Sequence, residues 1–319
     1  TGTLSSADGN TGVGTGVFGA LTTGDNNVAV GFNSLDLNTT GSSNTSIGKD
    51  SLKSNTTGVG NTSVGMGTLY SNTTASYNTA IGSLALDTNQ TGASNTAVGY
   101  DALTANSSAS NNTAVGYNAG AAITTGYQNT ALGQNALDST TTANHNTAIG
   151  ATTLAANTTG YANTAVGYNA LCTHTTGNSN TAVGDHAMKL TTTGTFNVAI
   201  GDNALCANTT ASSNVAIGRD TMFANTTGTE NTAVGSLSLD ANTTGDYNVA
   251  VGANSLSANT TADDNTGIGV AALRDNITGC RNVAVGRSAL AVNTTGIENI
   301  AIGRNTLDAN TTGSNNTAI

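Results

Sequence analysis

The chain lacks the residues from which most globular cores are built. Its 319 residues include no proline, no tryptophan and only four phenylalanines, and 8% of them are charged. Soluble domains usually carry about a quarter charged residues. Large apolar side chains are too few for a thick core. No apolar run approaches the roughly 20 residues of a membrane span, so the sequence predicts no membrane insertion.

Positive charge and cysteine are also scarce. The net charge of −10 is spread thinly along the chain, which argues against a nucleic-acid partner because such a partner needs a basic stripe. The three cysteines, Cys172, Cys206 and Cys280, make no disulfide framework. The first ten residues contain neither a charged nor an apolar signal region, so no signal peptide is predicted.

The chain does contain one repeat along its whole length. Glycine recurs every 17 residues from Gly14 to Gly303, and asparagine does so from Asn10 to Asn316. The unit is N-T-A-V-G-x-x-A-L-x-x-N-T-T-G-x-x, and we number its columns 1 to 17 from that asparagine. A register held without insertion means that each copy does the same structural job, which excludes the disorder that such a polar composition would otherwise favour.

The columns predict a short strand followed by a second apolar anchor. Column 4 is always branched and apolar, column 2 is threonine or β-branched, and column 3 is only Ala, Ser or Gly. Columns 2 and 4 therefore share one face of a strand, and column 3 lies on the other. Column 9 is leucine in fourteen of eighteen copies. We interpret columns 4 and 9 as the apolar columns of a thin core.

The predicted fold is all-β: a parallel β-solenoid, either a β-roll or a β-helix, of about eighteen 17-residue coils. So much glycine, threonine and asparagine excludes a helix. We expect a single tandem-repeat domain over residues 1–319, truncated in mid-repeat at both ends.

The recurring residues are the candidate site, and their predicted role is structural. Asparagines stacked in register can hydrogen-bond from coil to coil. The column 5 glycine either takes a backbone conformation closed to other residues or permits a close approach. Leucine in column 9 is the inward anchor. The central coils supply the representative residues: Asn95, Asn112, Asn129, Asn146, Asn163, Gly99, Gly116, Gly133, Gly150, Gly167, Leu137, Leu154 and Leu171.

No set of residues predicts catalysis, a cofactor or a metal. His145, His174 and His186 fall in different columns, and we interpret them as solvated surface residues because a zinc site needs convergent ligands. Aspartate is sporadic in column 10, which does not suit a calcium ladder. No carboxylate recurs in an inward column, so acid–base chemistry has no place. The cysteines lie in variable outer columns and are expected to be free surface thiols.

The thin core predicts more than one chain. A disulfide cannot reinforce this thin core. Cys172 and Cys206 share column 10 but lie two coils apart, about 9.6 Å by the strand spacing, which is beyond the roughly 7 Å reach of a disulfide. The uniformly small column 3 suggests that a neighbouring backbone packs on it, as around a three-fold axis. Alternatively, column 3 faces a narrow interior. We expect a homo-oligomer, either a parallel trimer or a head-to-tail filament.

Several segments resemble a known repeat family. Asn95-Thr-Ala-Val-Gly99, Asn163-Thr-Ala-Val-Gly167 and Asn197-Val-Ala-Ile-Gly201 are similar to the head repeat of YadA-type trimeric autotransporter adhesins. The longer unit, as in residues 231–247, resembles repeats of phage tail-fibre proteins. The resemblance implies a left-handed parallel β-roll, a homotrimer and an adhesive or spacer role. The autotransporter repeat is usually shorter, so the coil shape can differ.

The expected function is the structural shaft of an extracellular or virion fibre, with a host-cell or surface glycan as the candidate receptor. The first alternative is a self-assembling extracellular filament subunit. The second is an ice-binding solenoid, which requires two parallel outward threonine files on a flat face without charge. A polysaccharide-acting β-helix enzyme is disfavoured because the coils are too regular and carry no carboxylate cluster.

Overall fold

The computed structural model describes residues 7–319 and confirms the fold class. Those residues form a parallel β-solenoid in which every 17-residue coil contributes one strand over columns 2 to 4, as predicted, and they contain no helix. The strands are β1 Thr11–Val13, β2 Val28–Val30, β3 Thr45–Ile47, β4 Thr62–Val64, β5 Thr79–Ile81, β6 Thr96–Val98, β7 Thr113–Val115, β8 Thr130–Leu132, β9 Thr147–Ile149, β10 Thr164–Val166, β11 Thr181–Val183, β12 Val198–Ile200, β13 Val215–Ile217, β14 Thr232–Val234, β15 Val249–Val251, β16 Thr266–Ile268, β17 Val283–Val285, β18 Ile300–Ile302 and β19 Thr317–Ala318.

The chain divides into two compact units, one up to Tyr161 and one over residues 162–319. In the first unit, β1 to β9 pair in chain order as parallel neighbours. In the second unit, β10 to β19 pair in the same way. Each residue aligns with the residue 17 positions later, as Ala182 does with Ala199, so each column forms a straight file within its unit.

Backbone hydrogen bonds continue between coils outside the strands. The column 9 N–H of Leu52 donates to the Thr68 carbonyl of the next coil at 2.9 Å, and the column 7 N–H of Asp50 donates to the Phe32 carbonyl of the preceding coil at 2.8 Å. The turns are therefore hydrogen-bonded to the coils on both sides. These bonds explain how a coil with only three strand residues keeps its conformation.

The interior of each coil is narrow and is filled by columns 1, 3, 8, 9, 12 and 15. Leu137, Leu154 and Leu171 in column 9 are fully buried, as predicted for the anchor column. Ala165 and Ala182 in column 3 are also fully buried within a single chain. The expectation that column 3 faces a neighbouring chain is therefore wrong. Its small side chains face the interior because there is no room for larger ones. Columns 2 and 4 face outwards, so the interpretation of column 4 as a core column is also wrong.

The turns depend on left-handed backbone conformations in columns 7, 9 and 17. Asparagine is frequent in column 7, as at Asn135 with a φ of 54°, and asparagine tolerates this region well. Leucine does not, yet Leu137, Leu154 and Leu171 have φ values of 53°, 50° and 51°. The cost of the left-handed conformation is roughly 1–2 kcal/mol per residue, and burial of the side chain offsets it.

The column 5 glycines meet both of their predicted requirements. Gly99, Gly116, Gly133, Gly150 and Gly167 have φ values between 132° and 139°. A Cβ built on Gly116 would lie 2.6 Å from the carbonyl oxygen of Gly133 in the next coil. A side chain here would be strained in its backbone and would also collide with the neighbouring coil.

Candidate functional site

The column 1 asparagines form a buried, fully bonded ladder. The backbone N–H groups of Asn112, Asn129 and Asn146 donate to Oδ1 of Asn95, Asn112 and Asn129 at 2.9, 2.9 and 3.0 Å. The side-chain amides also donate to the column 15 carbonyl of their own coil, as Asn163 does to Gly177 at 3.0 Å. Because these amides are buried, each unmade bond would carry a desolvation cost.

A second buried ladder, in column 12, converges on the same acceptor. Nδ2 of Asn38 and Nδ2 of Asn27 both donate to the Gly41 carbonyl, at 2.8 and 2.9 Å. Nδ2 of Asn55 also donates to Oδ1 of Asn38 at 2.8 Å. The column 15 carbonyl uses both lone pairs. The residue there is small because a Cβ on Gly41 already meets Asn38 Oδ1 and the Gly58 carbonyl of the next coil. Sequence reasoning overlooked this ladder, although the recurrence of asparagine in column 12 was its signal.

His174 occupies column 12, and the expectation that it is a solvated surface residue is wrong. It is fully buried, and its Nε2 lies 2.7 Å from the Gly177 carbonyl, where the asparagine amide would donate. Its Nδ1 is buried without a hydrogen-bond partner. Burial lowers the pKa of His174 below its usual value, and the bond to the Gly177 carbonyl opposes this only in part.

The outward face of the strands is an extensive surface feature that recurs in every coil. We call the outward side chains of columns 2 and 4 the strand face. Ile200, Ile268 and Ile302 in column 4 each remain 40% exposed. No residue in either column is charged. With parallel strands about 4.8 Å apart and roughly 10 Å of strand, the strand face covers about 450 Å² in each unit.

The strand face also carries threonine hydroxyls that make no bond to the described protein. Column 2 is threonine in thirteen of nineteen coils, and from Thr45 to Thr266 no such hydroxyl bonds to another group of residues 7–319. The column 13 hydroxyls differ, because Thr56 Oγ1 donates to the Thr73 carbonyl of the next coil at 3.0 Å. Column 13 therefore stabilises the coil stack, whereas column 2 presents its hydroxyls to the outside.

Columns 6 and 17 border the strand face and carry charged and aromatic side chains. Tyr100 and Tyr117 in column 6 stack with ring centroids 5.7 Å apart. Arg281 and Glu298 in column 17 form an ion pair at 3.0 Å. These borders contrast with the uncharged strip between them.

The remaining titratable groups are dispersed. Burial raises the pKa of Asp87, Asp138 and Asp240 in column 10. Within residues 7–319, no group of three His, Cys, Asp or Glu side chains could hold a metal ion. His145 is exposed and packs edge-on against Tyr127.

The three thiols are free, but they are not all on the surface. Cys172 and Cys280 are partly exposed, whereas Cys206 is buried. Burial raises the pKa of the Cys172 and Cys206 thiols, and the charge of Lys189, between them in column 10, opposes this. The expectation of surface thiols is therefore wrong for Cys206, because its side chain packs between coils.

Together the geometry defines a parallel β-solenoid with two internal asparagine ladders and one uncharged outward strand face. No family model matches the sequence, and no curated protein matches it. In the described part of the chain, no helix is long and apolar enough to cross a membrane.

Proposed function

We propose that this chain is the structural shaft of an extracellular or virion fibre, and that it works as a homo-oligomer rather than as an enzyme. The observation that carries the proposal is the uniform coil. The buried column 1 amides bond to one another from coil to coil, as in the bonds of Asn129 to Asn112 at 2.9 and 3.2 Å. Such stacking stabilises length and stiffness, which are the properties a spacer needs.

The similarity of the Asn-x-Ala-Val/Ile-Gly segments to adhesin heads and phage tail fibres supports the same proposal. The corner columns vary freely, with Phe32, Lys49 and Met66 in successive copies of column 6. A shaft tolerates such variation, and an adhesive fibre can use it to contact a surface glycan. A self-assembling filament of chains joined end to end is the alternative arrangement of the same coils.

Immunoelectron microscopy of the producing particle or cell tests the proposal. An antibody against residues 231–247 should label elongated projections on the outside. Label confined to the interior of cells would contradict the shaft assignment. Regularly spaced label along filaments detached from any particle would favour the self-assembling filament.

Ice binding is a second candidate function, because the strand face places columns 2 and 4 outwards in parallel. The face is uncharged and carries unbonded threonine hydroxyls, although column 4 holds Val, Ile or Leu and no threonine. Thr164→Tyr with Thr181→Tyr should abolish any thermal hysteresis, and Thr176→Tyr with Thr193→Tyr in the exposed column 14 should not. Absence of thermal hysteresis in the wild-type chain would eliminate this candidate.

A further inference from the structure

We propose that copies of this chain pack against one another through the strand face, in parallel orientation, with the column 6 border of one copy beside the column 17 border of the next. The inference rests on the proposed homo-oligomer and identifies its interface and the orientation of its chains. The partner that covers the strand face is a second copy of the chain.

The first argument is the area and character of the strand face. Uncharged apolar patches of several hundred Å² on a soluble protein mark interaction sites. In each unit the strand face covers about 450 Å², slightly more than half of the roughly 800 Å² that each partner buries in a stable interface. Branched side chains such as Ile200 and Ile217, which are 40% and 36% exposed, gain from burial at roughly 25 cal/mol per Å².

The second argument is the charge on the two borders within the second unit. From residue 214 onwards, column 6 carries Arg219, Arg287 and Arg304 and no acidic residue. Column 17 carries three acidic residues over the same segment, Glu230, Asp264 and Glu298, and one arginine, Arg281. Arg281 already pairs with Glu298 in its own chain. Arg219 likewise pairs with Asp220 in column 7 of its own chain, at 3.3 Å. The column 6 border is therefore basic chiefly through Arg287 and Arg304, and the column 17 border is mainly acidic.

Parallel packing brings these borders together. When one copy is related to the next by rotation about an axis along the coils, the column 6 border of one meets the column 17 border of the other at the same level. Arg219 then lies within one coil of Glu230 of the next copy, and Arg304 within one coil of Glu298. Opposite charges on the rim set orientation and exclude wrong registers more than they add affinity.

The experiment is sedimentation velocity of the full chain with matched variants. Ile200→Lys with Ile217→Lys should convert the oligomer into a monomer while the circular dichroism of the fold is retained. Thr193→Lys with Thr210→Lys places the same charges in exposed column 14 of neighbouring coils and should leave the oligomer intact. A wild-type monomer would overturn both the homo-oligomer and this inference. If the Ile200→Lys, Ile217→Lys variant remains oligomeric, the strand face is not the interface, although the homo-oligomer itself still stands.

Charge reversal then tests the orientation. Arg219→Glu with Arg304→Glu should weaken association at least several-fold at low salt. Adding Glu230→Arg and Glu298→Arg should restore association. Lys49→Glu, whose neighbours in column 6 are the uncharged Phe32 and Met66, should have no effect. Donor and acceptor dyes on Cys280, in a Cys172→Ser and Cys206→Ser chain, should show strong energy transfer between copies. Loss of association without rescue, or absent transfer in an intact oligomer, would overturn the parallel arrangement. The immunoelectron microscopy described above tests the proposed shaft independently of all these outcomes.

Discussion

Asn129 donates both its backbone N–H and its side-chain Nδ2 to one acceptor, Oδ1 of Asn112, at 2.9 and 3.2 Å. Its Nδ2 also donates to the Ala143 carbonyl at 2.9 Å. Asn129→Ala should therefore lower the free energy of unfolding by about 3 kcal/mol or more, because buried partners are left unsatisfied. Urea unfolding measures this loss. Gln134→Ala, at an exposed position two columns beyond the same strand, should change stability by less than about 0.5 kcal/mol. Equal losses would contradict the ladder.

Leu154 tests the anchor column and its unusual backbone. Leu154→Ala should cost about 2–5 kcal/mol through lost burial and a cavity, while Asp138→Asn at the corner should cost little. Glycine usually costs about 0.5–1 kcal/mol more than alanine in regular structure. At the φ of 50° of Leu154, Leu154→Gly should cost no more than Leu154→Ala, as Gly120 in the same column illustrates. A clearly less stable glycine variant, in thermal unfolding, would show that the left-handed conformation is wrong.

Two glycine columns should respond differently to alanine. Gly116 in column 5 has a φ of 139° and faces the Gly133 carbonyl, so Gly116→Ala should strongly destabilise the coil or prevent folding. A Cβ on Gly126, in column 15, would also lie close to a carbonyl, that of Ala143, but Gly126 has no positive φ and Ala109 and Ala143 occupy the same column as buried residues, so Gly126→Ala should be tolerated. Soluble yield and melting temperature distinguish the two. Similar behaviour of both variants would contradict the assigned roles.

His174 predicts a pH dependence of stability. Burial lowers the pKa of the folded histidine, so the folded chain holds it neutral, whereas the unfolded chain takes up a proton near its usual pKa of about 6.5. The folded state is therefore most stable, with respect to this histidine, above about pH 6.5, and its free energy of unfolding decreases as the pH falls below that value. His174→Asn restores the asparagine of the other coils and should remove this component. The free energies of unfolding of the wild-type and His174→Asn chains are measured from pH 8 to pH 5. A difference between them that stays constant over this range would contradict the prediction.

The sequence predicts the coil length, the strand at columns 2 to 4, the anchor at column 9 and the exposed corners. Each follows from a local rule applied to a register without gaps. The positive φ of Gly116 and the burial of Leu154 both follow from such rules. In a strict repeat, a residue in one coil has the same environment as its equivalents in the other coils.

The inward side of the strand was not predictable from alternation alone. A period of two shows that Val166 and Thr164 share a face and that Ala165 lies opposite, but not which face is inside. Apolarity favoured the valine side, yet the coil is so narrow that only alanine, serine or glycine fits within it. The same narrowness explains the buried His174, whose column faces an acceptor in the interior rather than the solvent.

The accessibility of the strand face in the proposed fibre tests the central claim most directly. Cysteine is introduced at Ile217, in column 4, or at Thr210, in exposed column 14, in a chain without its natural cysteines, and labelling by a water-soluble maleimide is timed. The proposed shaft predicts that Ile217→Cys is protected in the assembled fibre and reacts once the fibre is dissociated, while Thr210→Cys reacts at the same rate in both states. Equal, rapid labelling of both positions in the fibre would contradict it.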